Sequence, residues 1–203
     1  MTNEYPDLNG KTRDDAWRLL TEWVESESLR RHCLGVESAM RAYARKFGEP
    51  EDAWGIVGLL HDFDYEKHPT REEHTIVGSR VLLDKGYPQW VADALLAHGF
   101  DERFPRTTLL DRTLYAVDEL TGFVAAVALV RPSKAVADVK VSSVKKKLKD
   151  KAFAAGVNRA ELTEGAHELG VDFDEHVAFI IDAMAGDAEA LGLAGAAVAT
   201  NED

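Results

Sequence analysis

Apolar residues recur at steps of three and four along almost the whole chain of 203 residues. Leu20 and Val24 follow this spacing in the first segment, residues 14–47, and the pattern resumes after a break near residues 26–28. Such spacing places the apolar side chains on one face of a helix, whereas the alternating patterns typical of strands are short and isolated here. The sequence therefore predicts an all-α fold, a bundle of helices.

Residues that begin and end helices divide the chain further. Gly48-Glu49-Pro50 ends the first segment, residues 70–73 have the pattern of a capping box, and Thr108 can cap a long helix. We expect residues 191–203 to fray, because they are small and polar. The predicted helices span residues 14–47 with the break, 51–61, 70–86, 88–99, 109–130, 133–155, 158–170 and 172 onward. These helices form a core, residues 1–130, and a C-terminal helical extension packed on it, residues 131–203.

The composition narrows the class of protein and its compartment. No apolar run approaches the roughly 20 residues that span a bilayer, and the N-terminus lacks the basic start and apolar stretch of a signal peptide. A single cysteine cannot form an internal disulfide, so we expect a cytoplasmic protein. The net charge of −12 would repel a nucleic-acid duplex but allows a small anionic substrate in a local pocket. The sequence leaves the oligomeric state open.

Ionisable residues occupy otherwise apolar positions on five successive predicted helices. Asp118 is the most unusual, because an unpaired buried carboxylate is costly and no arginine or lysine lies one helical turn away. A bound cation would turn these side chains from a cost into ligands. His167 and His176 lie on polar later helices, and we expect them to be surface or packing residues. The six candidate ligands are His32, His61, Asp62, His74, His98 and Asp118.

The order of these six residues, His…His-Asp…His…His…Asp, resembles a known family. The first three and the last match the signature of the HD-domain metal-dependent phosphohydrolases, an all-α superfamily that gathers its metal ligands from separate helices. The other two match the additional ligands of its dinuclear branch. The segments HTIVGSRVL after His74 and AHGFDERFPRTTLLDRTLYAVDE around His98 and Asp118 are similar to bacterial HD proteins that cleave dinucleoside polyphosphates. The resemblance covers residues 25–125 and implies an HD-domain helical bundle with a C-terminal helical extension.

The resemblance also implies which residues hold which metal. Histidine and carboxylate ligands without thiolate suit one or two divalent ions of Fe, Mn, Co, Ni or Zn. Cys33 points about 100° away from its neighbour His32 on a helix, so we expect it in the core. One metal is held by His32, His61, Asp62 and Asp118, and Asp62 bridges it to a second metal held by His74 and His98.

The implied reaction is hydrolysis of a phosphate ester or anhydride of a small molecule, a nucleotide or similar, by a metal-activated hydroxide. Asp62 takes part as the bridging carboxylate. Asp64, Glu66 and His68 follow it directly, and we expect Asp64 and His68 to act in acid/base catalysis. For Glu66, a solvated loop position is the simpler interpretation.

Positive charge for the phosphate has two sources in the sequence. Arg103 and Arg106 follow the last predicted histidine ligand. Residues 131–151 carry eight basic and two acidic residues, a local charge of +6. In this segment Lys145 and Lys146 are candidates for substrate contacts, but a lysine-rich helix face exposed to water explains the same pattern.

Three functions compete at this point. The first is a phosphohydrolase, an enzyme acting on a small phosphorylated substrate. The second is a diiron oxygenase, because the inositol and phosphonate oxygenases have the same ligand order on the same helical fold. The third is a ligand-sensing module without catalysis, against which the intact ligand set argues.

Overall fold

The computed structural model describes residues 7–99 and 101–195, and it is helical almost throughout. Nine α-helices and one short 3-10 helix (Val136–Asp138) lie within these ranges. The β-type pairing found there is an isolated antiparallel bridge between Ala135 and Ala194. The predicted all-α fold is confirmed. The helices are α1 (Arg13–Trp23), α2 (Glu27–Phe47), α3 (Glu51–Leu60), α4 (Ile76–Asp84), α5 (Gln89–His98), α6 (Leu109–Leu129), α7 (Val141–Leu148), α8 (Arg159–Leu169) and α9 (Phe173–Gly186).

Local capping explains where several of these helices begin and end. The side chain of Ser26 accepts a hydrogen bond from the backbone N–H of Leu29, which fixes the predicted break between α1 and α2. Gly48 ends α2 at a φ of 76°, a left-handed conformation that glycine adopts without steric cost. Thr108 and Asp111 form a capping box at the start of α6. These three boundaries agree with the sequence prediction.

The helix predicted over residues 70–86 begins later than expected. Residues 70–75 form turns, and Thr75, a β-branched residue, has a φ of 65°, outside the helical region. The carboxylate of Asp64 accepts hydrogen bonds from the backbone N–H groups of Thr75 and of the first turn of α4, and so replaces a local cap. His74 therefore lies in the turn before the helix and not inside it.

The basic helix predicted over residues 133–155 is also shorter, since α7 ends at Leu148. The turns that follow are held by the guanidinium of Arg159. Ala154, in the middle of these turns, has a φ of 44°. Because backbone carbonyls of this segment converge on one guanidinium, the contacts stabilise turns in place of a continuing helix. The carbonyls that accept hydrogen bonds from it are those of Leu148, Asp150, Phe153 and Val157.

Residues 191–195 pack against the bundle instead of fraying. Leu191 and Leu193 are buried, and the backbone N–H of Val136 donates a hydrogen bond to the carbonyl of Leu193 at 2.9 Å. The prediction of a frayed tail is wrong for these residues, because two leucines among small residues provide apolar surface that gains free energy on burial. The rest of the predicted tail, residues 196–203, lies outside the described residues.

The helices α2 and α6, each 21 residues long, pack against each other and contact most of the others. α3 lies on α2, α5 lies on α6, and the C-terminal helices α8 and α9 both contact α6. Tyr43, Trp54 and Phe63 are among the largest side chains that this packing buries completely. No helix in the described ranges is long and apolar enough to cross a bilayer. Ligand candidates on α2 and α6 consequently face each other across the bundle.

Candidate metal centre

Six ionisable side chains meet at one point between the helices. Four of them lie at or beside a helix end, where a side chain can reach inward without disturbing the hydrogen bonds of the helix. All six candidate ligands from the sequence belong to this group, which we call the cluster. They are His32 in α2, His61 and Asp62 at the end of α3, His74 in the turn before α4, His98 at the end of α5 and Asp118 in α6.

One half of the cluster is formed by α2, α3 and α6. The Nε2 atoms of His32 and His61 lie 3.1 Å apart. Oδ1 of Asp118 is 2.9 Å from the first of these nitrogens and 3.3 Å from the second. Three potential ligand atoms from three helices therefore surround a space of the size that a metal ion occupies.

Asp62 connects this half to a second one. Its Oδ2 lies 3.6 Å from Nε2 of His61. Its Oδ1 lies 3.3 Å from Nε2 of His74 and 3.2 Å from Nε2 of His98. The two oxygens of one carboxylate thus face different pairs of imidazoles. Among the described residues, donor groups drawn from both halves have ligand atoms within 4.8 Å of one another and could hold a metal ion.

The hydrogen bonds behind the cluster determine which imidazole nitrogens are free to act as ligands. Nδ1 of His61 lies 2.8 Å from the carbonyl of Gly58, and Nδ1 of His74 lies 3.0 Å from Oδ1 of Asp64. Both partners only accept hydrogen bonds, so Nδ1 carries the proton in each case. In the neutral rings, Nε2 then directs a lone pair at the carboxylate of Asp62. Lone pairs directed at carboxylate oxygens repel each other unless a cation lies between them, so this set of donors fits a divalent metal.

The pKa values show the same excess of negative charge. Burial lowers the pKa of His61, but Asp62 and Asp118 outweigh it and raise that pKa to about 9. His74 also has a pKa of about 9, because hydrogen bonds to Asp62 and Asp64 outweigh its burial. Burial raises the pKa of Asp118, yet the neighbouring imidazoles, His61 first, hold it far below its usual value. The cluster therefore retains positive charge, as protons or as a metal.

Asp64 lies behind His74 and does not face the open side of the cluster. It is fully buried, and both of its oxygens accept hydrogen bonds, from the imidazole and from the backbone N–H groups of Thr75 and Gly78 at 2.9 and 2.8 Å. A carboxylate behind a ligating histidine fixes the orientation of the ring and increases its basicity. The geometry thus favours a positioning role for Asp64 over the acid/base role expected from the sequence.

His68 and Glu66 make their contacts outside the cluster, although Glu66 lines a cavity together with His32. Nδ1 of His68 is 3.7 Å from Glu73, and its ring packs near Trp23 with centroids 6.1 Å apart. The carboxylate of Glu66 accepts hydrogen bonds from the backbone N–H groups that precede α2. These contacts hold the loop after Asp62 in place, and they do not support the expected acid/base role of His68.

Of the predicted phosphate contacts, Arg106 lines a cavity together with a member of the cluster. It shares a polar cavity of about 610 Å³ with His98. Its guanidinium forms two hydrogen bonds to Glu168 of α8, at 3.0 and 2.9 Å, and stacks on the ring of Tyr115 at 3.7 Å. The contacts in this cavity therefore orient a positive charge beside one of the candidate ligands.

The other predicted contacts are engaged elsewhere or exposed. Arg103 is exposed and forms an ion pair with Asp101. Nζ of Lys145 lies 2.7 Å from Asp174, and Lys146 is exposed. The structure does not bring these three residues into contact with the cluster, which favours the interpretation of a solvated, lysine-rich helix face.

Sequence reasoning missed Glu119, the neighbour of Asp118. Burial, reinforced by the charges of Asp118 and Glu161, raises the pKa of Glu119 to about 7. The signal was a second acidic residue directly after the first in an apolar helix, in the sequence AVDEL.

Comparison with known protein families gives one match. Residues 29–122 match the family model described as HD domain. No curated protein and no solved structure matches the chain. The matched residues include all six members of the cluster and agree with the range over which the sequence resembles that family.

Proposed function

Because residues 29–122 are an HD domain, we propose that this protein is a metal-dependent phosphohydrolase acting on a small phosphorylated molecule. The observation that carries the proposal is the position of Asp62. Its two oxygens face separate imidazole pairs, at 3.6 Å from His61 on one side and at 3.2–3.3 Å from His74 and His98 on the other. This arrangement suits two metals that share one bridging carboxylate.

The candidate ligands form two groups, according to the oxygen of Asp62 on whose side they lie. Metals bound there supply Lewis acidity for a phosphate oxygen and make water acidic enough to react near neutral pH. Asp64 keeps the ring of His74 oriented, with the lone pair of Nε2 directed inward. His32, His61 and Asp118 would hold the first metal, and His74 and His98 would hold the second.

On the His98 side the chain offers the guanidinium of Arg106, in a cavity that acidic residues also line. Nε and Nη2 of Arg106 are bonded to Glu168, which limits the motion of the guanidinium and leaves Nη1 to contact the phosphate. A fixed cation beside the reacting group stabilises the charge that develops on the departing oxygen. The expected product is therefore inorganic phosphate or a phosphorylated fragment of the substrate.

The test is phosphate release by protein loaded with Mn²⁺ or Co²⁺ after removal of other metals with a chelator. The panel contains alkyl, aryl and nucleoside phosphates and a dinucleoside polyphosphate. We expect release from at least one class, with loss of activity in His61→Ala and normal activity in His167→Ala. His167 is an exposed histidine of α8 and serves as the matched control.

Two other results would contradict the proposal. Substrate-dependent O₂ uptake by the iron-loaded protein, without phosphate release, would identify a diiron oxygenase. A ligand that binds tightly in the absence of any turnover would identify a sensing module.

A further inference from the structure

A mostly apolar cavity of about 280 Å³ lies beside His32, and we call it the His32 pocket. Its walls come from three parts of the chain. α2 and α6 form two walls, and the end of α9 with the segment after it forms the third. Pockets that bind small molecules are typically apolar with a few polar groups, and this volume suits part of a ligand. The third wall consists of Met184, Leu191, Gly192 and Leu193.

Small residues on α2 and α6 leave this space open. A Cβ added at Gly35 would lie no closer than 3.7 Å to Met184, the nearest side chain of the opposite wall. Ala125 and Ala126 line the cavity one turn further along α6. A methyl group at Gly35 would already be in van der Waals contact with the opposite wall, so the absence of a side chain there keeps the cavity open.

The pocket and the cluster share the ring of His32. Nε2 of this ring belongs to the cluster, 2.9 Å from Asp118. The opposite edge of the ring faces Gly122, where an added Cβ would lie 3.7 Å from Nδ1. A group bound in the pocket is therefore separated from the cluster by the width of one imidazole.

Two exposed apolar side chains line cavities that also include His32. Leu129, which lines the pocket, is 52% exposed, and Tyr65 is 45% exposed. Tyr65 lines a second cavity of about 420 Å³ that shares Ser28 and His32 with the pocket. Exposed apolar surface that gathers around a polar site is typical of a binding site.

The polar groups of the pocket include one guanidinium, that of Arg31, which is paired with Glu27 at 3.1 Å. Arg31 lines the cavity together with Ser28 and His32, all three on the first turns of α2. Deeper in the pocket, the hydroxyl of Thr121 donates a hydrogen bond to the backbone carbonyl of Asp118 at 2.8 Å. The remaining walls offer apolar side chains. A nucleobase would leave its polar edge without partners there, which costs free energy, whereas a hydrocarbon group would not.

We propose that the His32 pocket binds an alkyl or aryl group of the substrate. The phosphate attached to that group lies at the cluster, so this inference rests on the proposed function and narrows it to apolar phosphate esters.

The test is the binding of alkylphosphonates with one to eight carbons to the metal-loaded protein, measured by calorimetry. These probes carry the anionic group and cannot be hydrolysed as esters. We expect the affinity to rise about fourfold for each added methylene until the pocket is full, in line with the transfer free energy of a buried CH₂. Adenosine monophosphate should bind more weakly than hexylphosphonate.

Two variants test whether the alkyl chain of the probe binds in the His32 pocket. Ala125→Leu should remove the gain for long chains and leave the affinity for methylphosphonate unchanged. Leu129→Asn, at an exposed position that tolerates polar residues, should reduce the gain per methylene. Ala160→Leu makes the same change of size on the exposed surface of α8 and is the control.

An affinity independent of chain length, or tighter binding of adenosine monophosphate, would overturn the inference. Equal chain-length dependence in Ala125→Leu and Ala160→Leu would also overturn it. The proposed function is tested separately by phosphate release: length-dependent binding without release from any ester supports the pocket and contradicts the phosphohydrolase.

Discussion

His61 and His176 are both buried, at 0% and 1% exposure, in two regions of the molecule that use an imidazole differently. His61 ends α3 inside the cluster, and its Nε2 faces the carboxylates of Asp62 and Asp118. His176 lies in α9 where that helix meets α2 and α6. There, Nε2–H donates to the carbonyl of Ala116 at 2.9 Å, and Nδ1 accepts from the hydroxyl of Tyr43 at 2.6 Å. Both nitrogens of His176 are used for packing.

The charges around the two rings shift their pKa values in opposite directions. Burial lowers the pKa of both imidazoles. In the cluster, the two carboxylates outweigh burial and raise the pKa of His61 to about 9. In α9 the packing partners are neutral, and burial together with the charge of Lys46 outweighs the bond to Ala116, so the pKa of His176 stays below its usual value. Burial alone therefore does not identify a ligand; the charge on its neighbours does.

The largest expected effect is the loss of metal from the cluster. His61→Ala or Asp62→Ala should abolish both bound metal and activity, because each removes a donor from the shared site. Metal content by mass spectrometry after purification checks this. His176→Ala should keep the metal content and activity of the wild type, and a loss of metal in that variant would erase the distinction between the two histidines.

Substitution of the packing histidine, His176, should reduce stability more than substitution of the exposed His167. His176→Ala leaves the hydroxyl of Tyr43 and the carbonyl of Ala116 without partners and creates a cavity, so we expect a loss of roughly 2–4 kcal/mol in the free energy of unfolding. Urea denaturation measures it. The exposed His167→Ala should change this free energy by less than about 0.5 kcal/mol. Equal changes in the free energy of unfolding for the two variants would mean that the hydrogen bonds of His176 to Tyr43 and Ala116 contribute nothing to stability.

A smaller effect is expected from Asp64, which acts through His74. Asp64→Asn removes the charge that holds Nδ1–H of the ring, and partners of this kind typically change metal affinity by about 10–100-fold. Competition with a metal-binding dye measures the affinity of each site. The second site should weaken more than the first, since His74, which belongs to the second site, is the one candidate ligand that Asp64 contacts. Asp174→Asn, an exposed carboxylate paired with Lys145, is the control.

Stability should also depend on pH, in two separate windows. The metal-free protein should lose stability as the pH rises from about 6.5 to 9, because folded His61 and His74 bind protons that the unfolded chain has released. Bound metal replaces those protons and should remove this loss. Urea titrations of chelated and metal-loaded protein at the two pH values provide the comparison.

His176 should make the stability depend on pH in the second window, at lower pH. Its pKa is lowered in the folded protein, so the unfolded chain binds the proton first and stability should fall as the pH drops below about 6.5. Each unit of difference in pKa corresponds to about 1.4 kcal/mol. The variant His176→Gln keeps hydrogen bonding without a proton equilibrium, and its stability should fall less than that of the wild type from pH 6.5 to 5. A slope equal to that of the wild type would assign the effect to other groups.

Much of the bundle and of the cluster was predictable because local rules governed it. Gly48, Thr108 and Asp172 end or begin helices through their own backbone and side-chain chemistry, which the sequence shows directly. The cluster was predictable for a related reason. An acidic residue such as Asp118 in an apolar helix needs a partner, and only distant histidines were available.

The parts that sequence reasoning missed depend on contacts between distant segments. Asp64 caps α4 from the preceding loop, so the local TREE pattern at residues 70–73 does not start the helix. Arg159 stops α7 by binding carbonyls before it in the chain. Leu191 becomes a core residue only because α2 and α6 leave a gap for it. The positioning role of Asp64 has the same origin, since its partner lies ten residues further along.

Residues after position 122 form walls of both cavities beside the cluster, and this determines how much of the chain a transferable domain must include. Glu168 orients Arg106, and Leu191 and Leu193 close the pocket beside His32. A transplant of residues 29–122 into another scaffold would carry all six donors and leave both adjoining cavities open on one side. The transferable unit of this chain therefore extends to the leucines after α9, and a chimera that joins at the edge of the family signature would bind metal without selecting a substrate.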